Sequence, residues 1–174
     1  MVMCTEVKVP WERVFVLDDP VQSYTIYNQT PSHCYGNHQS NVRFHTKMRL
    51  LVGIASKITQ STGANKIPAV AETLGRLSAL EAGLGGIVAG QIEAAEDWPE
   101  GYATFNRRMM YAALNFCTEN HSQLIDIVRE LCGGGVFQMP ADVTVMHDDE
   151  LRQKFESFWQ TPQMDALARM KLFR

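Results

Sequence analysis

The sequence predicts a mainly α fold, a bundle of three long helices with shorter helices around it and one β-strand in front. Three observations lead there. Apolar residues recur at three- and four-residue spacing through three long stretches, within 41–62, 68–95 and 105–131. Proline and glycine stand at the borders of these stretches rather than scattered at random. β-Branched residues cluster in only one short segment, 7–17.

Taken in order, VKVPWERVFVL at 7–17 reads as extended, with Val7, Val9, Val14 and Val16 as strand formers and Pro10 excluding a helix interior. A single strand makes no sheet, so 1–19 is expected to be the end of a β-domain and 20–174 a helical domain. Pro20 suits a first helical turn with Asp18 or Asp19 as cap, opening a short helix through Tyr27. A polar connection, TPSHCYGNHQS, follows, and a long helix is expected to begin between Asn37 and Asn41. Met48, Leu51, Val52, Ala55 and Ile58 form its stripe, and Gly63 its C-terminal stop.

Pro68 opens the next helix, which is expected to run to Ala95 on Val70, Leu74, Leu77, Leu84, Ile87, Val88 and Ile92. It carries Gly75, Gly83, Gly85, Gly86 and Gly90, each costing about 1 kcal/mol against alanine, so close contact with another helix or a cofactor is expected in return. DWPEGYATFN reads as a turn, and a third long helix spans Phe105 to Leu131, bounded by Gly133, Gly134 and Gly135. After the loop VFQMPADVTVM, Asp148 and Asp149 suit the positive end of the helix DDELRQKFESF. Thr161 and Pro162 then open MDALARMKLFR, which reaches the end of the sequence with an apolar pattern unfinished.

Composition narrows the function classes. The chain has 174 residues, 45% hydrophobic and 20% charged, enough for one domain with a real core. A net charge of −3 and scattered basic residues give no electrostatic footprint for nucleic acid. No apolar run approaches the roughly 20 residues of a membrane span. Cys4, Cys34, Cys117 and Cys132 form no CxxC pair and match no zinc module. With no signal peptide in view, they are expected to be free thiols in a reducing cytoplasm.

The densest group of functional side chains is Ser32, His33, Cys34, Tyr35, Asn37, His38 and Gln39, followed by Arg43 and His45. His33 and His38 suit proton transfer, and equally suit structural hydrogen bonding in a loop. No further ligands stand at zinc spacing, so no metal is expected. Asn37, Gln39, Ser40 and Asn41 at a helix start, with Arg43 one turn in, suit an anion such as a flavin pyrophosphate, or simple capping. Gly133, Gly134 and Gly135 let the backbone approach a ligand closely, or merely stop a helix. Tyr24, Tyr27, Trp98, Phe105, Phe155 and Trp159 read as core or interface. Cys34 and Cys132 show no base at fixed spacing that would mark a nucleophile.

VPWERVFV at 9–16 resembles the segment that ends the central β-domain of the 4-hydroxyphenylacetate 3-hydroxylase family. The pieces after it agree in order: the short helix ending YNQT, PSHCYGNHQSNVRF, KMRLLVGIASKITQSTG, the helix with ETLGRLSALEAG, and ELCGGGVFQMPAD. Agreement in order over nearly the whole chain is more specific than any one motif. The resemblance implies an acyl-CoA dehydrogenase-like C-terminal helical bundle preceded by one remnant β-strand. It implies that the family's N-terminal helical domain, most of its β-domain and its last helices lie outside this sequence. Assembly as a dimer or tetramer through the bundle is implied too.

So is a mechanism. A separate flavin reductase supplies reduced FAD, or FMN in some relatives. A flavin C4a-hydroperoxide forms with O₂, and its terminal oxygen passes to the ring of a phenol. His33 best matches the family's proton-handling histidine, with His38 second. Gln39 and Arg43 match the stretch that helps hold the flavin. Gly133, Gly134 and Gly135 resemble a glycine loop that, in acyl-CoA dehydrogenases, approaches FAD at a subunit interface. Because most flavin and phenol contacts belong to the missing domains, this chain is expected to be inactive alone. A related 4-hydroxybutyryl-CoA dehydratase binds an iron–sulfur cluster through a histidine and a cysteine with six residues between them. The same count from His33 lands on Ser40, which supplies no thiolate. The other readings are a helical oligomerisation remnant and a flavoenzyme of the acyl-CoA dehydrogenase or dehydratase type.

Overall fold

The computed structural model describes residues 1–173, with only the backbone of Val143. Its helices are α1 (Pro20–Gln29), α2 (Ser32–Thr62), α3 (Pro68–Glu93), α4 (Arg107–Cys132), α5 (Gly135–Gln138), α6 (Asp149–Trp159) and α7 (Ala166–Phe173). The expected helical bundle is present, built on the three long helices α2, α3 and α4.

The strand expected over 7–17 is not. Trp11–Arg13 forms a 3₁₀ turn and the rest of the segment joins no ladder. Among the described residues no second strand lies beside it, so its β-forming valines pair with nothing there, and Val7 and Phe15 are exposed. The DWPEGYATFN turn is a complete small hairpin instead. β1 (Glu96–Trp98) pairs antiparallel with β2 (Tyr102–Thr104), and Pro99–Gly101 turns between them. Glu100 holds a left-handed φ of 69° there, followed by Gly101 at 80°.

Local signals explain most borders. Asp19 caps α1 by accepting from the Gln22 N–H, with Pro20 in the first turn. Gly63, at φ 78°, ends α2. Pro68 opens α3, and Asn106 caps α4 by accepting from the Met109 N–H. Asp148 caps α6 through the N–H groups of Glu150 and Leu151.

α2 departs from expectation, starting at Ser32 rather than at Asn37–Asn41. Its first turns hold Gly36 and several polar residues, a composition that favours a loop. Packing overrides that preference, because His33, Cys34 and Asn41 are buried there. The polar stretch is therefore a helix face and not a connection.

Contacts set the directions of the bundle. Asn41 meets Met110, Phe44 meets His121, and Ile58 shares a cluster with Cys132, so α2 and α4 run parallel. His38 meets Gln91 and His45 meets Glu81, so α3 runs against them. The central core contains Met48, Ala55, Leu77, Leu84, Ala113 and Leu124. A second cluster of Ile58, Phe155, Trp159, Met170 and Phe173 closes the end of the bundle away from the hairpin.

Two of the α3 glycines make the close contact expected of them. A Cβ on Gly85 would lie 3.0 Å from His45 Nε2, and one on Gly90 would touch Met109. Gly75, Gly83 and Gly86 face open space. Among the described residues, no helix is long and apolar enough to cross a membrane.

Candidate functional site

The polar residues gather where the start of α2 meets the end of α3 and the hairpin. His33, in the first turn of α2, is 7% exposed. Its Nδ1 lies 3.0 Å from the Tyr27 carbonyl and 3.3 Å from that of Thr30. Carbonyls only accept, so the proton sits on Nδ1 and is shared between them. Nε2 is then an acceptor, and the fully buried Cys34 thiol, 3.2 Å away, donates to it. Tyr27 and Trp98 flank the ring at 5.6 and 6.4 Å. Both nitrogens of His33 are thus committed inside the chain.

His38 differs. Its Nδ1 lies 2.7 Å from Gln91 Oε1 on α3, so Nδ1–H donates to the amide oxygen. The ring stacks on Phe105 at 3.6 Å and 11°. No hydrogen bond reaches Nε2 from any described residue. Around it lie buried polar groups that are only half used. Asn41 donates through Nδ2 to the Met110 carbonyl at 3.0 Å, while its Oδ1, Gln91 Nε2 and Thr104 Oγ1 have no partner among the described residues.

An ion pair braces the hairpin. Arg107 Nε donates to Glu96 Oε2 at 2.9 Å, and the Arg107 backbone N–H to Oε1 at 3.1 Å. The guanidinium hydrogen bond holds the Glu96 carboxyl below its ordinary value, and Glu96 in turn raises Arg107. The Arg107 guanidinium also lies over the Trp98 ring at 5.8 Å. Beside this brace opens a cleft of about 440 Å³ lined by Gln29, Thr30, Pro31, Trp98, Glu100 and Tyr102. It shares Thr30 and Trp98 with the surroundings of His33.

The remaining candidates lie elsewhere. Gln39 and Arg43 are exposed, one turn apart, and bond to no described residue. They sit inside α2, where backbone N–H groups are already used, so the anion site expected at a helix start is not formed by 37–41. Gly133, Gly134 and Gly135 are at the opposite end of the bundle, near the level of Ile58, about 37 Å along α2 from His33 at about 1.5 Å per residue. Within one chain, 33–43 and 133–135 do not meet.

Gly133, at φ 56°, ends α4, and the space beside Gly135 is filled by Phe173, 2.7 Å from where a Cβ would stand. The glycine run is thus explained first by packing. For a flavin, Gln39 and Arg43 fit as a free amide and a free cation for a carbonyl edge or diphosphate. Gly135 offers no cradle, since its own chain occupies it.

Gln91 and the Cys34–His33 contact are the members of this group that sequence reasoning passes over, while Phe105 and Trp98 read there as core or interface. Gln91 leaves a trace, as a polar residue in register with the inward-facing Leu84 and Val88. Cys34 leaves none. Neighbours in a helix do not ordinarily face each other, so the contact of Cys34 with His33 is not expected from their spacing.

Residues 23–174 match the family described as 4-hydroxyphenylacetate 3-hydroxylase C terminal. The pyoverdin chromophore biosynthetic protein PvcC of Pseudomonas aeruginosa is 26% identical over 95% of this chain and 33% of its own length. A probable 4-hydroxyphenylacetate 3-monooxygenase of Bacillus subtilis is 22% identical over 100% of this chain and 36% of its own. The chain therefore spans about a third of the length of the curated relatives it matches. The crystal structure of the oxygenase component (HpaB) of 4-hydroxyphenylacetate 3-monooxygenase, complexed with FAD and 4-hydroxyphenylacetate, superposes with a TM-score of 0.87 at 22% identity, over 95% of this chain and 34% of that one. An oxygen-tolerant archaeal 4-hydroxybutyryl-CoA dehydratase from N. maritimus superposes at 0.73 with 15% identity, over 80% and 28%. These two structures speak for the fold.

Proposed function

This chain belongs to the 4-hydroxyphenylacetate 3-hydroxylase family, and from that premise we propose that it forms the helical wall of a reduced-flavin-dependent monooxygenase that ortho-hydroxylates phenols. The family match across 23–174 is the observation that carries this reading. The HpaB neighbour, crystallised with FAD and 4-hydroxyphenylacetate, supports it at the level of fold. Reduced FAD, in preference to FMN, would supply the two electrons that activate O₂, one of whose atoms goes to the phenol ring while the other leaves as water. A separate flavin reductase delivers it, in a cytoplasmic setting.

The chain's own residues then have distinct tasks. Gln39 and Arg43 hold the flavin through hydrogen bonds and charge. His38 accepts or returns a proton at Nε2, while His33 keeps its Nδ1 proton on the carbonyls of Tyr27 and Thr30 and handles a proton at Nε2 only when the Cys34 thiol leaves it. Trp98 and Phe105 keep water from these imidazoles. Homo-oligomerisation is favoured by the exposed α3 face of Ala71, Gly75, Ala79, Ala82, Gly83 and Gly86, whose small side chains allow a second copy to approach closely. Such an assembly is the route by which Gly133 and Gly134 of another copy come near the flavin.

The test joins this chain to the remaining two thirds of a relative. Reduced FAD binding and reductase-dependent hydroxylation of a phenol are expected, with little FAD affinity in the 174-residue chain alone. CoA-ester turnover without phenol hydroxylation favours the dehydrogenase or dehydratase reading. No flavin binding by either protein favours a non-catalytic helical module. In the joined protein, His33→Ala is expected to release H₂O₂ in place of hydroxylated product, and unchanged coupling removes His33 from the site.

A further inference from the structure

We infer that Gln91 is a positioning residue for His38: it holds the ring proton on Nδ1, keeps the imidazole flat on Phe105, and leaves Nε2 as the open lone pair of this end of the bundle. The inference gives the proton-handling role of the proposed monooxygenase to His38 ahead of His33 and rests on that reading for its functional meaning. Its geometry stands apart from it.

Gln91 is 0% exposed, on the α3 face that otherwise presents Leu77, Leu84 and Val88 to the core. A primary amide there is costly unless its groups are paired. Only half of it is paired among the described residues, since Oε1 accepts from His38 Nδ1–H at 2.7 Å and Nε2 has no partner there. Leucine or methionine at 91 would avoid that burden and fill the same space. The one thing the amide does that they do not is accept the His38 proton.

The Gln91 backbone carbonyl separately accepts the Asn106 N–H at 3.0 Å, so the entry into α4 is held without the side chain. Phe105, one residue before Asn106, supplies the stacking surface. Amide and ring together hold the imidazole in both position and rotation.

His33 is the contrasting case. It gains a proton on Nε2 only by giving up the Cys34 thiol, its present donor. His38 gives up nothing. The other titratable groups on the packed elements are engaged elsewhere or exposed. Glu96 pairs with Arg107, Tyr35 donates to the Ala103 carbonyl at 2.6 Å, and Glu93 lies exposed at the end of α3. Among the described residues no charged side chain bonds His38, so an amide sets its tautomer without adding charge.

The test uses the 174-residue chain labelled with ¹⁵N-histidine, with long-range ¹H–¹⁵N spectra recorded against pH and the His38 signals assigned by their loss in His38→Gln. In its neutral form the parent's His38 is expected to carry its proton on Nδ1. Gln91→Met is expected to release that preference, giving averaged or Nε2–H signals. Gln91→Glu is expected to keep Nδ1–H and move the His38 titration midpoint up by about one pH unit or more, as a carboxylate beside an imidazole does. A parent already in the Nε2–H form, or a Gln91→Met spectrum identical to the parent, overturns the inference. Should the methionine variant not fold, the parent tautomer and the glutamate shift still decide. An Nδ1–H signal that depends on Gln91, in a joined protein that hydroxylates nothing, keeps the positioning and removes the monooxygenase reading.

Discussion

At the end of α2 that carries His33, contacts are directional: two imidazoles, a thiol, two amides and three carbonyls meet through hydrogen bonds of 2.7–3.3 Å. At the other end, around Trp159, they are mainly apolar and steric, with one directional bond from Arg169 Nη1 to the Trp159 carbonyl at 3.0 Å. Phe155 stacks on Trp159 at 5.4 Å, Phe173 meets it edge-on at 5.7 Å, and Arg169 lies over it at 4.7 Å. Both ends attract attention in the sequence, one for its histidines and the other for its glycines. Among the described residues the first keeps three buried polar atoms without a partner, Asn41 Oδ1, Gln91 Nε2 and Thr104 Oγ1, against Arg169 Nε at the second. Partner-hungry polar atoms therefore separate a site from a packing device better than an unusual residue run does.

The largest expected effect tests the apolar end. Trp159→Ala removes a ring that is 4% exposed and should cost about 3–5 kcal/mol, read as a lowered denaturant midpoint. If the two ends are independent, the His33 and His38 ring signals keep their chemical shifts in that variant. Shifts that move with Trp159 would break the comparison.

The glycine run comes next. Gly135→Ala drives a Cβ to within 2.7 Å of Phe173 and should cost about 1–3 kcal/mol. Gly134→Ala meets only the far end of Gln138, at 3.7 Å, and should be nearly neutral. Phe173→Leu should recover part of the Gly135→Ala loss. Equal costs at 134 and 135 would mean that the run serves something other than the Phe173 contact.

These contrasts also show what is legible in the sequence. α3 reads almost to the residue, because Pro68 marks its start and the inward positions Leu77, Leu84 and Val88 keep helical spacing. The start of α2 does not, because Gly36 and its polar neighbours favour a loop until Cys34 and Asn41 find buried surroundings 50 or more residues away along the chain. The strand at 7–17 misleads for the converse reason, since its local preference is clear and no described segment pairs with it. His33 and His38 stand out by residue type. Gln91, 53 positions from His38, becomes part of the site only when α3 folds back along α2.

Thiol reactivity sharpens the comparison further. Burial pushes the Cys117 thiol up to about 11 and raises Cys132 as well, so neither is an alkylation target at neutral pH in the folded chain. Cys4 is exposed and should be labelled first by iodoacetamide. In Trp159→Ala, Cys132 should become reactive while the fully buried Cys34 stays protected, as counted by mass spectrometry of the labelled chain. Labelling of both together would mean that the two ends open as one unit.

The smallest effect belongs to the ion pair that braces the hairpin. The Arg107 hydrogen bond depresses the folded-state value of Glu96 below its ordinary 4.5. A depressed carboxyl favours the folded chain above its ordinary value, and that contribution disappears as pH falls through the folded value. Both side chains are partly exposed, at 30% and 55%, so solvent and salt screen the pair and the change in melting temperature should be slight. Glu96→Gln keeps an oxygen for the Arg107 backbone N–H and removes the charge. It should flatten the acid limb of the melting profile below about pH 4.5 and leave the neutral limb almost unchanged. The equivalent change in the exposed pair Lys154–Glu150, at the apolar end, should do less, because that glutamate braces no hairpin and holds no backbone N–H. Parallel acid limbs for Glu96→Gln and the parent would show that the brace carries no folding energy, and that the hairpin beside His33 is held by Tyr35, Phe105 and its backbone ladder instead.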